Sequence, residues 1–115
     1  MNSLIGQIKR HKDYHKVGMI LCHNGVVRGT SRDGSPVTSV DVKAEWDVIN
    51  RVVSEQKARP GIIEILVEVN EGRLAVGDDL LAIVVAGDIR ENVIAVLTDT
   101  LNTIKQKGTR KQEHR

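Results

Sequence analysis

The stretch from residue 62 to residue 88, IIEILVEVNEGRLAVGDDLLAIVVAGD, decides the fold class of this sequence. Ile62–Val69 is rich in β-branched residues and predicts a strand. Leu80–Ala86 is apolar throughout, which predicts a second strand that is buried on both faces. The glycines and acidic residues between them, at Glu71–Gly72 and Gly77–Asp79, are typical of turns. The stretch therefore predicts two strands of a sheet that are connected through turns.

A helical pattern follows the second strand. Apolar residues recur at helical spacing from Val93 to Ile104. Asp88 precedes this pattern and Glu91 stands three residues later, so we expect a capping box in which Asp88 accepts free backbone N–H groups. Gly108 is a suitable residue just beyond the end of such a helix.

The residues before position 62 extend the same α and β alternation. Apolar spacing predicts a short helix from Leu4 to about Lys12, and a longer one from Ala44 to Pro60. Strands are predicted at Val17–Val27 and Val37–Val42, joined by a hairpin turn at Asp33–Gly34. The order α-β-β-α-β-β-α predicts an α+β domain in which helices pack on a mostly antiparallel sheet.

Composition limits the classes of function. The sequence has 115 residues, 40% of them hydrophobic and 28% charged, which is typical of one globular domain. The only aromatic residues are Tyr14 and Trp46, and the net charge is +2, so we expect no nucleic-acid-binding surface. Cys22 is the single cysteine, which excludes an intrachain disulfide. Because no apolar run is long enough for a membrane span and no signal peptide is recognisable, we expect a cytoplasmic protein.

Three small groups of reactive residues are interpreted as structural. His11 and His15 are spaced for one helix face, but no third metal ligand accompanies them. Cys22 and His23 are adjacent on a predicted strand, so their side chains point to opposite faces, and we expect a buried cysteine and a structural histidine. The paired Asp78–Asp79 is typical of turn chemistry.

The basic residues after the last predicted helix allow two interpretations. Lys105, Lys107, Arg110 and Lys111 surround Gly108. Cations at a helix C-terminus complement the helix dipole, so residues 108–115 can be a solvated basic tail. The same cations can instead bind an anionic substrate.

The order of several short motifs favours the second interpretation. The motifs are GVVR at 25–28, GRLAVGD at 72–78, Arg90 near the start of the last helix, IK at 104–105 and KQE at 111–113. Together they resemble the MoaE family, the large subunit of molybdopterin synthase, over most of the chain. The resemblance implies one MoaE-like domain over residues 1–115 with the alpha/beta-hammerhead fold of that family.

The resemblance also implies a function in molybdenum cofactor biosynthesis. The family's enzyme is a transferase that takes sulfur from a thiocarboxylated, ubiquitin-like small subunit (MoaD-like) and converts cyclic pyranopterin monophosphate to molybdopterin. Carried over to this sequence, Lys105 and Lys111 are the expected catalytic residues, and Arg28 and Arg90 the expected substrate-binding residues. The implied assembly is a homodimer within a heterotetramer. Neither a metal nor a cofactor is expected.

The sequence departs from the family pattern at several of these positions. Ile89 and Val69 stand where the family has histidines, Asn70 where it has an arginine, and Arg110 where it has a tryptophan. The last residue is Arg115, whereas family members continue further. A second interpretation therefore stays open: a non-catalytic MoaE-like relative that binds a pterin, another anion or a protein tail.

Overall fold

The computed structural model describes residues 1–115 and contains three α-helices and six strands. The helices are α1 (Asn2–Lys9), α2 (Trp46–Lys57) and α3 (Arg90–Thr103). The strands are β1 (Met19–Val26), β2 (Ser39–Ala44), β3 (Ile62–Val69), β4 (Gly72–Ala75), β5 (Asp79–Gly87) and β6 (Thr109–His114). Two shorter helical turns are a 3₁₀ turn at Tyr14–Lys16 and a π-helical turn at Ile104–Gly108. The predicted α+β class is confirmed.

The larger of two antiparallel sheets has the strand order β1-β5-β3. Its central strand, β5, is buried on both faces because its apolar residues alternate between two cores. Ile83 and Val85 pack with α2 and α3, whereas Val84 and Ala86 pack with α1. Burial of this strand on both faces, which its continuous apolar run predicted, is confirmed.

The smaller sheet has the order β4-β2-β6, and all of its pairs are antiparallel. Val40 and Val42 of β2 and Leu74 of β4 point to one face, where they form a separate core with Val27 and Val37. Asp41 and Lys43 of β2 and Arg73 of β4 lie on the opposite face. β2 and β4 thus give the small sheet an apolar inner face and a polar outer face, whereas β6 is polar on both faces.

The predicted hairpin between the first two strands is wrong. The turn itself forms, with Gly34 at φ +87° and its N–H donated to the Ser31 carbonyl at 3.0 Å. However, only one bridge, between Thr30 and Pro36, flanks this turn. β1 pairs with β5 and β2 pairs with β4 and β6, because each strand buries its apolar residues in a different core. The connection at 27–38 therefore passes from one sheet to the other.

The predicted capping box is also wrong. Ile89 is the N-cap residue of α3, and no side chain caps the helix. Asp88 Oδ1 instead accepts the Ile89 backbone N–H at 2.7 Å and the Asn92 side-chain amide at 2.9 Å. Both hydrogen bonds lower the pKa of Asp88, and the one from Asn92 has the larger effect. Glu91 pairs with Arg90 at 3.4 Å rather than reaching back to the cap.

Two strands have no counterpart in the sequence prediction. β4 forms within the segment that was interpreted as turns, and β6 forms where a basic tail was expected. Both pair with β2, and β6 is in register with it from Ala44↔Thr109 to Ser39↔His114. Neither strand has the apolar alternation that identifies strands in a sequence, because β4 has only four residues and β6 has no apolar residue.

Candidate active site

A groove of 630 Å³ lies where the two sheets meet, and it brings together three of the four expected site residues. Its apolar part is formed by Val26, Val27, Val40 and Leu80. Its charged part is formed by Arg28, Arg32, Asp33, Lys105, Lys111, Glu113 and Arg115. Five cations and two carboxylates therefore face the same space, which makes the groove suitable for an anion.

Arg28 reaches the groove from the end of β1. Its Nε donates a hydrogen bond to the Thr30 carbonyl at 2.9 Å, which fixes the direction of the side chain. The guanidinium forms no ion pair with a protein carboxylate. Its remaining N–H donors are therefore available for a bound anion, and a planar fork of donors suits a phosphate.

The two lysines reach the groove from opposite sides of a tight reversal. Lys105 lies in the π-helical turn that extends α3, and Lys111 lies on β6. Gly108 ends this turn and is buried, and a Cβ at this position would lie 3.0 Å from Ile49 Cγ1. Both lysine side chains are exposed, and neither forms an ion pair.

Arg90 does not join the other three residues within one chain. It lies at the first position of α3, where it pairs with Glu91. Lys105 follows the far end of the same helix, so a rise of about 1.5 Å per residue separates the two by about 22 Å. A single chain therefore assembles Arg28, Lys105 and Lys111 but not Arg90.

The loop that closes one side of the groove was not predicted to belong to the site. Arg32 and Asp33 lie in it, and Arg115 lies 3.9 Å from Asp33. Hydrogen bonds from the Ser31 hydroxyl and from Ser35 lower the pKa of Asp33 to about 2, so this carboxyl is ionised at neutral pH. Only the Asp33–Gly34 turn signal pointed to this loop, and a turn signal does not show what the loop faces.

The neighbouring Cys22 and His23 differ from the expectation in one respect. Their side chains do point to opposite faces of β1, but Cys22 is exposed rather than buried. His23 is half-buried, and its Nε2 is inaccessible to solvent and has no hydrogen-bond partner. Burial and, secondarily, the positive charge of Lys105 lower the pKa of His23. His23 therefore lies close enough to Lys105 to sense its charge, although it does not line the groove itself.

The other groups of reactive residues have structural partners. His11 Nε2 lies 3.6 Å from Glu64, and its Nδ1 accepts the Asp13 backbone N–H at 3.0 Å. Asp78 accepts the Ala75 N–H at 2.8 Å, which confirms the turn interpretation. No group of three or more His, Cys, Asp and Glu side chains is arranged to hold a metal ion. None of the helices has the length and apolar character to span a membrane.

Comparison with known proteins identifies the family. The MoaE protein family matches residues 3–107. This chain belongs to the MoaE family. The match covers Arg28, Arg90 and Lys105, whereas Lys111 and the rest of β6 lie beyond it. Membership of the MoaE family indicates a place in molybdenum cofactor biosynthesis.

One relative and two solved structures are similar to this chain. An uncharacterized protein of Methanocaldococcus jannaschii is 30% identical over 95 residues, which cover 79% of this chain and 80% of the relative. Molybdopterin synthase from Staphylococcus aureus has a TM-score of 0.74 at 17% identity, covering 90% of this chain and 84% of that one. Molybdopterin cofactor biosynthesis protein E from Burkholderia multivorans has a TM-score of 0.79 at 17% identity, with coverages of 99% and 75%. These similarities confirm the expected MoaE fold.

Proposed function

We propose that this chain is the large, catalytic subunit of a cytoplasmic molybdopterin synthase. In this proposal the protein transfers sulfur from the thiocarboxylated C-terminus of a small, ubiquitin-like subunit to cyclic pyranopterin monophosphate and so produces molybdopterin. The observation that carries the proposal is that Arg28, Lys105 and Lys111 line one groove.

The chemistry of the groove supports a separate role for its arginine, its two lysines and its apolar residues. Arg28 would bind the phosphate of the substrate through charge-assisted hydrogen bonds. Lys105 and Lys111 would transfer protons or stabilise negative charge during sulfur transfer, because neither ammonium group is neutralised by a protein carboxylate. Val40 and Leu80 would contact the pterin ring, since they form the apolar part of the same groove.

The groove is also suited to the proposed sulfur donor. A thiocarboxylated C-terminus is an anion, and five cations against two carboxylates favour its approach. A structure of subunits 1 and 2 of molybdopterin-converting factor from Helicobacter pylori, which is a complex of two proteins, has a TM-score of 0.74 to this chain at 13% identity. The match covers 97% of this chain and 76% of the matched chain. That this structure is a complex supports a small subunit as the partner of the present chain.

A homodimer would give Arg90 a role that one chain does not allow. Because Arg90 and Lys105 lie at opposite ends of α3, Arg90 would have to reach the groove of a second copy. The dimer therefore belongs to the proposal: each groove would contain three residues of one copy and Arg90 of the other.

A single-turnover assay tests the proposed reaction. Purified protein is mixed with the thiocarboxylated small subunit from the same source and cyclic pyranopterin monophosphate, and dithiolene product is followed. We expect Lys105→Ala and Lys111→Ala each to lower the rate by about 10²–10⁴-fold, the range of general acid–base effects. Lys12→Ala, at an exposed lysine outside the groove, is the matched control and should keep the wild-type rate.

The same assay separates the proposal from its alternative. A wild-type protein that binds the small subunit but forms no product would contradict catalysis and favour a non-catalytic relative. One specific observation favours a non-catalytic relative: Ile89 is exposed and stands where the family has a histidine.

A further inference from the structure

Strand β6 carries Lys111 but has no apolar residue that could fix its position. Its sequence, TRKQEH, is polar at every position, and it forms an edge of the small sheet. Side chains of a strand alternate between faces, so a shift of one residue would move Lys111 from the groove to the outer face. Because a buried apolar face is what normally fixes register, a strand that is polar on both faces needs another determinant.

The observed alternation shows which register is adopted. Lys111 and Glu113 line the groove, on the inner face of the small sheet. Lys111 is paired with Val42 of β2, and Glu113 with Val40. Arg110, Gln112 and His114 alternate with these two residues and point outwards. Arg110 and His114, near the two ends of β6, each form an ion pair there.

The first ion pair holds the start of β6. Arg110 Nε lies 2.8 Å from Glu45 Oε1, directly before Lys111. The backbone N–H of Glu45 also donates to the Gly108 carbonyl at 2.8 Å, so the same residue holds the chain at two successive points. Arg110 stands where the family pattern has a tryptophan, and here the contact is ionic.

The second group holds the end of β6 and connects all three strands. His114 Nε2 of β6 lies 2.6 Å from Asp41 Oδ2 on the central strand. Arg73 of β4 donates to the same carboxylate through Nε at 3.1 Å and Nη2 at 3.3 Å. Hydrogen bonds from Arg73 and then His114 lower the pKa of Asp41 to about 2, so the carboxylate is ionised at neutral pH.

We propose that these two groups, Glu45–Arg110 and Asp41–Arg73–His114, form a register clamp that holds β6 with Lys111 in the groove. Asp41 and Glu45 touch no substrate in this inference and act as positioning residues. The consequence for catalysis rests on the proposed function, in which Lys111 takes part in sulfur transfer. The structural part of the inference, the register of β6, can be tested without any substrate.

Amide hydrogen exchange tests the clamp directly. In the variant Asp41→Asn/Glu45→Gln, both carboxylates lose their charge while their shape is kept. The matched control, Glu55→Gln/Glu68→Gln, removes two exposed carboxylates that form no ion pair. Because exposed ion pairs stabilise a structure only modestly, we expect amides of β6 to exchange about fivefold faster in the clamp variant and at the wild-type rate in the control.

A charge reversal provides a rescue. Arg110→Glu alone should accelerate exchange in β6, and Arg110→Glu combined with Glu45→Arg should slow it again, because the pair is restored with opposite signs. Equal exchange rates in the clamp and control variants, or no rescue, would overturn the clamp.

Kinetics then test the positioning of Lys111. In the sulfur-transfer assay we expect the clamp variant to lose kcat severalfold while KM for the pterin changes little, since Arg28 is untouched. Faster exchange in β6 with an unchanged kcat would overturn the positioning role. If the wild-type protein showed no sulfur transfer, the proposed function would be overturned. The exchange data would still decide whether the clamp exists.

Discussion

At the scale of single residues, the expected site follows from short motifs and the groove follows from the fold. Arg28, Lys105 and Lys111 were selected by resemblance, and the structure places all three in one groove. Arg32 and Arg115 were not selected, because their approach to the groove depends on contacts between distant parts of the chain. Arg90 was selected with the others, but its distance from them depends on the length and direction of α3.

His23 leads to a prediction about stability and pH. Its pKa in the folded protein lies below its ordinary value of 6.5, because its ring is partly buried and Lys105 is near. The unfolded chain therefore binds this proton more readily, so the free energy of unfolding should fall as the pH drops below 6.5 towards the folded-state pKa. We expect His23→Gln to reduce the loss of stability between pH 7.5 and pH 5.5, measured by urea unfolding.

His15→Gln is the matched control for this measurement, because His15 lies at an exposed position in the 3₁₀ turn. If His23→Gln and His15→Gln had the same pH dependence as the wild type, burial of His23 would not contribute to acid sensitivity.

At the scale of elements, the sequence predicts the elements better than their partners. Ile62–Val69 was predicted and observed with the same bounds, because its apolar pattern is local. The pairing of β1 with β5 instead of β2 was not predicted, since it depends on which core receives each apolar face. β6 was missed for a related reason: charges and backbone pairing hold it, and neither produces periodic hydrophobicity.

Substitutions at two glycines test how tightly the chain packs where Gly61, before β3, meets Asp88, before α3. Gly61 and Gly77 both have positive φ, +81° and +93°, so an alanine at either position should cost about 1–2 kcal/mol of backbone strain. A Cβ at Gly61 would also overlap Asp88 Oδ1, whereas nothing lies within 4 Å of one at Gly77. We therefore expect Gly61→Ala to lower the free energy of unfolding by at least about 1 kcal/mol more than Gly77→Ala in urea denaturation. Equal costs would show that the contact with Asp88 relaxes without penalty.

At the scale of the whole molecule, the groove exists because the chain divides its strands between two sheets. The large sheet and α3 supply Arg28 and Lys105, and the small sheet supplies Lys111. The sequence shows the cations that line the groove. It does not show that the strands belong to two sheets, because the connection at 27–38 resembles a hairpin. Arg90 lies at the opposite end of α3 from the groove, so its proposed role concerns the assembly.

Mixed dimers test that role. Arg90→Ala and Lys111→Ala should each lower sulfur transfer, because each damages both grooves of a homodimer. In a random mixture half of the dimers are mixed and contain one intact groove, so about a quarter of the wild-type activity should return. Lys105→Ala mixed with Lys111→Ala is the control and should recover nothing, because both residues belong to the same groove. No recovery with Arg90→Ala, in dimers shown to be mixed, would remove Arg90 from the site.

The most direct test of the central claim, that the groove is the substrate site, is calorimetric titration with cyclic pyranopterin monophosphate. Arg28→Ala removes a groove cation, and Arg51→Ala removes an exposed arginine of α2 outside the groove. Because a hydrogen bond to a charged group contributes about 1.5–3 kcal/mol, we expect Arg28→Ala to raise Kd by about tenfold or more, and Arg51→Ala to leave it unchanged. Equal Kd values for the wild type and Arg28→Ala, or equal losses in the two variants, would contradict the assignment of the groove.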